Sequence, residues 1–322
     1  MKRFSGAILA IACAAAAFFP IGASAQAGGK VLHIVVPFGA GGAREVLLRT
    51  FYSELGAALG ETAIVENKPG AGGAIGTAYV ANAAPDGQTL IFAASSHNVT
   101  ALFGASPPYD PIRDFTAVAN IGIQSYVMMT TSQLPVTNVA ELVKYARANP
   151  GKLNYSSAGH GSSSHLAMAY FVSLAGADMV HVPYKSTQQA INDVLAGRAH
   201  AVIVPNVGAI PFLKEERLHL LGVTSRKRSP FLPDVPTIAE SGLPSYEFDS
   251  WFGLLAPART PKAIVDRINT EVGKLLENPV ILDRLAKQGV DPLPLSPAGF
   301  EKRIREDYAK MAKVVKTVGR VE

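Results

Sequence analysis

Cysteine is nearly absent from this sequence. The single cysteine, Cys13, lies in an apolar stretch at the N-terminus, so the chain beyond it has no thiol for a disulfide, a thiolate metal site or a cysteine nucleophile. Acylation of Cys13 as a lipoprotein anchor is disfavoured, because the apolar segment before it is very short and Ala10 is a poor residue at that spacing. We therefore expect any chemistry to depend on other groups.

The first residues are typical of a targeting segment. Lys2 and Arg3 precede an almost wholly apolar run over 4–19, and small residues at 23–25 form a cleavage pattern. The run is too short and too rich in alanine for a stable membrane span, which needs roughly 20 strongly apolar residues. We predict a signal peptide over 1–25, a mature chain that starts at Gln26, and export to the periplasm.

Strong charge of either sign is also lacking. The net charge of +5 falls to +3 once Lys2 and Arg3 are removed. No basic block with interleaved aromatics, of the kind that follows nucleic acid, is present. The mild positive balance suits an anionic ligand, although solubility is the simpler explanation. We expect a monomer with no nucleic-acid partner.

Short apolar runs alternate with amphipathic segments along the chain. The predicted strands are 31–36, 63–66, 89–93, 127–131, 153–156, 180–184, 199–204 and 218–224. The predicted helices are 45–59, 75–84, 139–148, 163–174 and 188–196, followed by three capped helices that begin near Pro261, Pro279 and Ser296. Strand and helix in turn predict an α/β protein with mainly parallel sheets.

The length of the chain favours two lobes. A mature chain of about 300 residues exceeds the size at which a single core keeps growing. No long flexible linker is present, so we expect a hinge that the chain crosses twice, near 123–127 and near 248–252. The first lobe would comprise 26–125 and 250–322, and the second 126–249.

Two glycine-rich turns follow predicted strands. The first, at 37–43, leads into a helix, so it is either an anion cradle or an ordinary tight turn. The second, at 69–76, resembles a dinucleotide fingerprint, but Ile75 occupies the place of its last glycine, and Arg44 does so in the first turn. We therefore expect no dinucleotide and no other cofactor.

A serine-rich turn at 156–165 also lies between a strand and a helix. Its hydroxyls are suited to a carboxylate, although one serine is expected to cap the helix. Ser163 or Ser164 with His165 would permit a hydrolase, but no Gly-x-Ser-x-Gly motif occurs. His160 and His165 do not share a helix face, and no metal-ligand spacing is found. We expect neither catalysis nor a metal site.

The next strand ends at a further polar segment. Lys185, Ser186 and Thr187 precede a helix, and Lys185 either balances ligand charge or points to solvent. Asn206 follows a later strand at its carboxyl end, where open α/β sheets bind ligands.

A series of short motifs is distributed over the whole chain. They are VPF at 36–38, GG at 41–42, VENKPGAGG at 65–73, APDG at 84–87, YDP at 109–111, NPGKLNY at 149–155, HVPYK at 181–185, LPDVPT at 232–237, ESG at 240–242 and WFGL at 251–254. In this order they are highly specific. The chain resembles the extracytoplasmic solute receptors of tripartite tricarboxylate transporters, the Bug family.

The resemblance implies a periplasmic binding protein fold of type II that clamps a small carboxylate between its lobes and delivers it to membrane transporter subunits. An alternative is a sensor that presents the bound carboxylate to a signalling partner. The implied ligand-binding residues of the first lobe are Phe38, Gly39, Ala40, Gly41, Gly42, Ala43, Arg44, Ser95, Ser96 and His97. Those of the second lobe are Ser157, Gly159, Ser163, Ser164, His165, Lys185, Ser186, Thr187 and Asn206.

Departures from the family pattern bear on the ligand. Arg44 is a large cation where a small hydroxyl residue is common, so it either pairs with a second ligand carboxylate or leans outward onto Glu45 or solvent. Ser186 replaces the usual glycine, and 187–189 make this wall more polar than is common. Because of these changes, the resemblance alone does not assign the ligand of a relative to this chain.

Overall fold

The computed structural model describes residues 30–103, 108–160, 162–184 and 186–318. The predicted signal peptide at 1–25 and Lys185 of the predicted site lie outside this part of the chain. The strands are β1 (Val31–Val36), β2 (Thr62–Asn67), β3 (Thr89–Ala94), β4 (Phe115–Thr131), β5 (Leu153–Ser157), β6 (Met179–Pro183), β7 (Ala201–Pro205), β8 (Leu218–Val223), β9 (Asp249–Pro257) and β10 (Asp291–Pro292).

The helices are α1 (Ala43–Leu48), α2 (Tyr52–Ala58), α3 (Ala74–Ala81), α4 (Ser96–Phe103), α5 (Val139–Ala148), α6 (Ser163–Ala175), α7 (Thr187–Leu195), α8 (Asn206–Ala209), α9 (Lys262–Leu275), α10 (Pro279–Lys287) and α11 (Pro297–Val318). Within the described ranges, none of them combines the length and apolar character needed to cross a membrane. The predicted α/β class is confirmed.

The single helix predicted over 45–59 is wrong, because the structure has two helices there. The hydroxyl of Thr50 donates to the carbonyl of Leu47 at 2.7 Å, and Phe51 leaves helical geometry with φ of −148°. The ring of Phe51 packs edge-on against Phe92, with centroids 5.9 Å apart. Burial of this ring in the core accompanies the break between α1 and α2.

The sheet is mixed, where mainly parallel sheets were expected. Its strand order is β2-β1-β3-β9-β4-β7-β5-β6, and β8 and β10 also pair with β4. The flanks are parallel: β1 pairs with β2 and β3, and β5 with β6 and β7. The central strands β4 and β9 are antiparallel to each other and to their other neighbours. β9 and the first part of β4 were not predicted as strands.

Two positions carry the chain from one part of the sheet to the other. Residues 115–125 of β4 pair with β9, whereas 126–131 pair with β7 and β8. The chain returns after β8 into β9, where Asp249 lies opposite Ser125. We propose that these crossings form the hinge between two lobes. The first lobe comprises 26–125 and 250–322, and the second comprises 126–249.

The last helix contacts both parts of the sheet. Phe300 of α11 packs against Trp251 of β9, with ring centroids 5.3 Å apart. Further along α11, Met311 and Val314 join the core that surrounds β5 and α6. The C-terminal helix therefore packs on the predicted second lobe as well as on the first.

Candidate functional site

The glycine turn after β1 is bonded to a carboxylate of its own chain. Gly41 has a φ of +77°, and its N–H donates to Glu45 at 2.7 Å. Arg49 Nε donates to the same carboxylate at 2.7 Å, and Asn67 does so at 3.3 Å. These bonds lower the pKa of Glu45, and the bond from the Gly41 N–H has the largest effect. The predicted anion cradle is thus partly occupied by Glu45.

Arg44 is directed inward. Its Nη2 donates to Ser96 Oγ at 2.9 Å, and its Cζ lies 4.2 Å from the centroid of the Phe38 ring. Burial lowers the pKa of Arg44 to about 10. No carboxylate among the described residues forms an ion pair with it. Of the two orientations that the sequence left open, the structure has the one that does not lean on Glu45.

A cavity of about 210 Å³ opens beside Arg44. It lies where α1, the strands β4 and β9 and the start of α6 meet, which places it between the two predicted lobes. Its lining residues are Ala43, Arg44, Leu47, Gln124, Tyr126, Ser163, Ser250, Phe252, Gln288 and Val290.

The phenol of Tyr126 provides a neutral polar group in this cavity. Burial raises the pKa of Tyr126, while hydrogen bonds with Ser163 and Ser250 act in the opposite direction. Ser163 comes from α6 and Ser250 from β9. The three hydroxyls therefore lie together where the start of α6 meets β4 and β9.

Two of the remaining first-lobe candidates are held by other contacts. The hydroxyl of Ser95 accepts from the backbone N–H of Trp251 at 3.0 Å. His97 is buried, with Nε2 3.0 Å from the Pro111 carbonyl and its ring 4.8 Å from that of Phe115. Desolvation lowers the pKa of His97 to about 4, so the ring is neutral at pH 7. Of the segment 95–97, only Ser96 contacts Arg44 directly. Gly39, Ala40 and Gly42 are exposed in the glycine turn.

The serine-rich turn of the second lobe bonds largely to itself. Ser157 Oγ accepts from the Gly159 N–H at 3.1 Å, and Ser164 Oγ accepts from the Ala158 N–H at 2.9 Å. Ser163, in contrast, faces the cavity. Ser163 therefore lines the same cavity as Arg44, whereas Ser157, Gly159 and Ser164 shape the turn.

His165 belongs to a cluster that the sequence analysis missed. Its ring stacks on that of His181, with centroids 3.9 Å apart, and the ring of His160 lies 4.8 Å from His181. Burial lowers the pKa of both His165 and His181 to about 4. Sequence reasoning compared only the two nearby histidines, because His181 reaches them from β6.

The other second-lobe candidates lie at helix starts. The exposed Ser186 caps α7 by accepting from the Gln189 N–H at 3.3 Å, and Thr187 is the first residue of α7. Asn206 begins α8 and is buried, and neither its amide oxygen nor its amide nitrogen has a hydrogen-bond partner within the described chain. A buried amide in this state is costly unless another molecule satisfies it.

Several residues of the cavity were not predicted. Gln124 and Tyr126 lie on β4, and Ser250 and Phe252 on β9. The sequence contained a signal for these four positions. Both hinge crossings were predicted there, and polar residues interrupt the apolar segments at the same places. No comparable signal marks Gln288 and Val290, which come after α10.

The chain is similar to a family of receptors and to proteins of known structure. The family model described as "Tripartite tricarboxylate transporter family receptor" matches residues 47–320. Protein BugT from Bordetella pertussis is 30% identical over 292 residues, which cover 90% of each chain. The structure of Rpa4515 from R. palustris with adipate is 35% identical, covers 89% of this chain and 97% of its own, and has a TM-score of 0.72. MatC from Rhodopseudomonas palustris with bound malate is 30% identical, with coverages of 92% and 100% and a TM-score of 0.69.

Proposed function

Since this chain belongs to the receptor family of tripartite tricarboxylate transporters, we propose that it captures a small dicarboxylate in the cavity beside Arg44. Members of the family are solute-binding receptors, so the chain is not an enzyme. The hydrolase considered for Ser163, Ser164 and His165 is thereby set aside.

The unpaired charge of the half-buried Arg44 is the observation that carries the proposal. A desolvated cation is unfavourable unless an anion compensates it. Arg44 lines the cavity, where Ser96 accepts its hydrogen bond and the Phe38 ring lies beside its guanidinium, and no acidic side chain among the described residues forms an ion pair with it. Its planar guanidinium suits a carboxylate, which it can bind through two parallel hydrogen bonds.

The rest of the cavity favours a short ligand with both apolar and polar parts. Its volume of about 210 Å³ lies below the roughly 300–1,000 Å³ of pockets for drug-sized ligands. Leu47 and Phe252 provide apolar walls, and Tyr126 and Ser163 provide hydroxyls. Adipate and malate, which the two solved relatives hold, are both dicarboxylates.

Delivery to membrane subunits of a tripartite transporter is the second part of the proposal. It is supported by the family match. We further propose that residues 1–25 direct export to the periplasm and that the receptor acts as a monomer.

A thermal-shift screen over monocarboxylates, dicarboxylates, amines and sugars tests the proposed function. A ligand at 100 times its dissociation constant stabilises the native state by about 2.7 kcal/mol. We expect dicarboxylates to raise the midpoint temperature most and amines and sugars to leave it unchanged. A shift with sugars or amines alone would contradict the proposal.

A further inference from the structure

Three histidines meet beside the start of α6. His160 precedes the helix, His165 lies in its first turn, and His181 is in the middle of β6. One ring nitrogen of each lies within 4.8 Å of the others. Among the residues that the structure describes, no other group of three histidine, cysteine or acidic side chains comes together in this way.

The three rings form one block. His165 and His181 are stacked at an interplanar angle of 12°, and His160 stands edge-on to both, at 82° and 89°. Tyr155 stacks on the His181 ring with centroids 5.0 Å apart. His165 is buried, whereas His160 is exposed. The block is therefore anchored on its inner side and accessible from solvent on its outer side.

A hydroxyl orients one of the rings. Ser157 Oγ lies 2.6 Å from Nε2 of His181. In metal sites, an outer hydrogen bond to one ring nitrogen holds the imidazole so that its other nitrogen binds the ion. A bond between Nε2–H and Ser157 leaves the lone pair of His181 on Nδ1.

We propose that His160, His165 and His181 together bind one Zn²⁺ ion, with the fourth coordination position open. Three imidazoles suit zinc and its neighbours in the first transition row, whereas Mg²⁺ and Ca²⁺ prefer oxygen ligands. The site replaces the expectation, drawn from sequence spacing alone, that the chain has no metal site.

Metal binding requires a local rearrangement. Tetrahedral zinc with Zn–N distances of about 2.0–2.1 Å places nitrogens about 3.3 Å apart, and the present spread reaches 4.8 Å. The exposed His160 must move inward. The stack of His165 on His181 must also open, because the lone pairs of parallel rings run side by side and do not converge. The site does not depend on carboxylate binding at Arg44.

Calorimetric titration of the purified, chelator-treated protein with Zn²⁺ alone tests this site. We expect one saturable ion per chain. His160→Ala and His181→Ala should each raise the dissociation constant for Zn²⁺ at least ~10-fold, since each removes one of three ligands. His219→Ala is the matched control, because His219 contacts the Val136 carbonyl, away from the cluster, and zinc binding should be unchanged.

The exposed His160 variant decides the outcome if His181→Ala fails to fold. Absence of saturable binding to the parent protein overturns the site. It is equally overturned if His160→Ala binds Zn²⁺ as tightly as the parent, or if His219→Ala loses as much affinity as His160→Ala.

Discussion

Arg44 combines a fixed position with an unbalanced charge. Ser96 and Phe38 hold the guanidinium at the cavity, and a ligand carboxylate would supply the missing negative charge. We predict that Arg44→Ala weakens dicarboxylate binding by about 10–100-fold, because a hydrogen bond to a charged group is worth about 1.5–3 kcal/mol. A monocarboxylate of equal length should lose less, because it lacks the second carboxylate that Arg44 would bind. Calorimetric titrations of both ligands measure the difference.

Arg44→Lys is the control that keeps the positive charge but removes the planar guanidinium group. It should retain part of the dicarboxylate affinity, since lysine keeps the cation but not the two parallel hydrogen bonds. Equal losses for the two ligands in Arg44→Ala, or no loss for either, would contradict a role of Arg44 in binding a second carboxylate.

His97 makes stability depend on pH. Its pKa is about 4 in the folded protein and about 6.5 in an unfolded chain. The unfolded chain therefore takes up a proton below pH 6.5 while the folded protein does not, and stability is lost as pH falls from 6.5 towards 4. Between pH 7 and pH 5 this costs about 2 kcal/mol.

Urea unfolding at the two pH values tests this assignment. His97→Phe keeps an aromatic ring beside Tyr109 and Phe115 but cannot be protonated. Its loss of stability between pH 7 and pH 5 should be smaller than that of the parent by about 2 kcal/mol. An identical loss in both proteins would show that His97 does not carry the effect.

At the level of single residues, local sequence predicted the polar positions between the end of a strand and the start of a helix. Arg44 and Ser163 were both identified in this way, and both line the cavity. Tyr126 and Ser250 were missed because their proximity depends on pairing between β4 and β9, which are far apart in sequence. Local patterns contain no direct information about such pairing.

The pair β4 and β9 is packed closely enough to exclude a side chain. A Cβ on Gly253 would lie 2.4 Å from Phe300 Cζ and 2.6 Å from the Ala119 carbonyl. We predict that Gly253→Ala lowers the free energy of unfolding by about 1–3 kcal/mol, the usual cost of overpacking. Denaturant unfolding measures the change.

Gly273 in α9 is the matched control. A Cβ there meets no atom within 4 Å, so Gly273→Ala should stabilise the protein by up to about 1 kcal/mol through helix propensity. The account of close packing at β9 fails if Gly253→Ala is as stable as the parent protein.

Elements with their own periodicity were predicted well, and those defined by partners were not. The amphipathic α5 was predicted with the bounds that the structure has, and its Asn138 cap accepts from the Glu141 N–H. In contrast, β9 is buried along its whole length and shows no alternation that would separate a strand from other apolar segments. The glycine turn and the presence of a helix after it were predicted. The break between α1 and α2 at Phe51 was not, because it depends on tertiary packing.

Across the molecule, the strands β4 and β9 meet residues of α1 and α6 at the cavity. Helix α11 packs on both parts of the sheet. Chain length and the absence of a long linker led to the prediction of two lobes with two crossings. They gave no indication that Met311 and Val314 of α11 would join the core of the proposed second lobe.

A crystal structure of the protein with adipate shows directly whether the cavity beside Arg44 binds a dicarboxylate. We expect one carboxylate within about 2.7–3.2 Å of the Arg44 guanidinium, with the chain of the ligand against Leu47 and Phe252. Adipate bound elsewhere on the protein, or bound in this cavity without contact to Arg44, would contradict it.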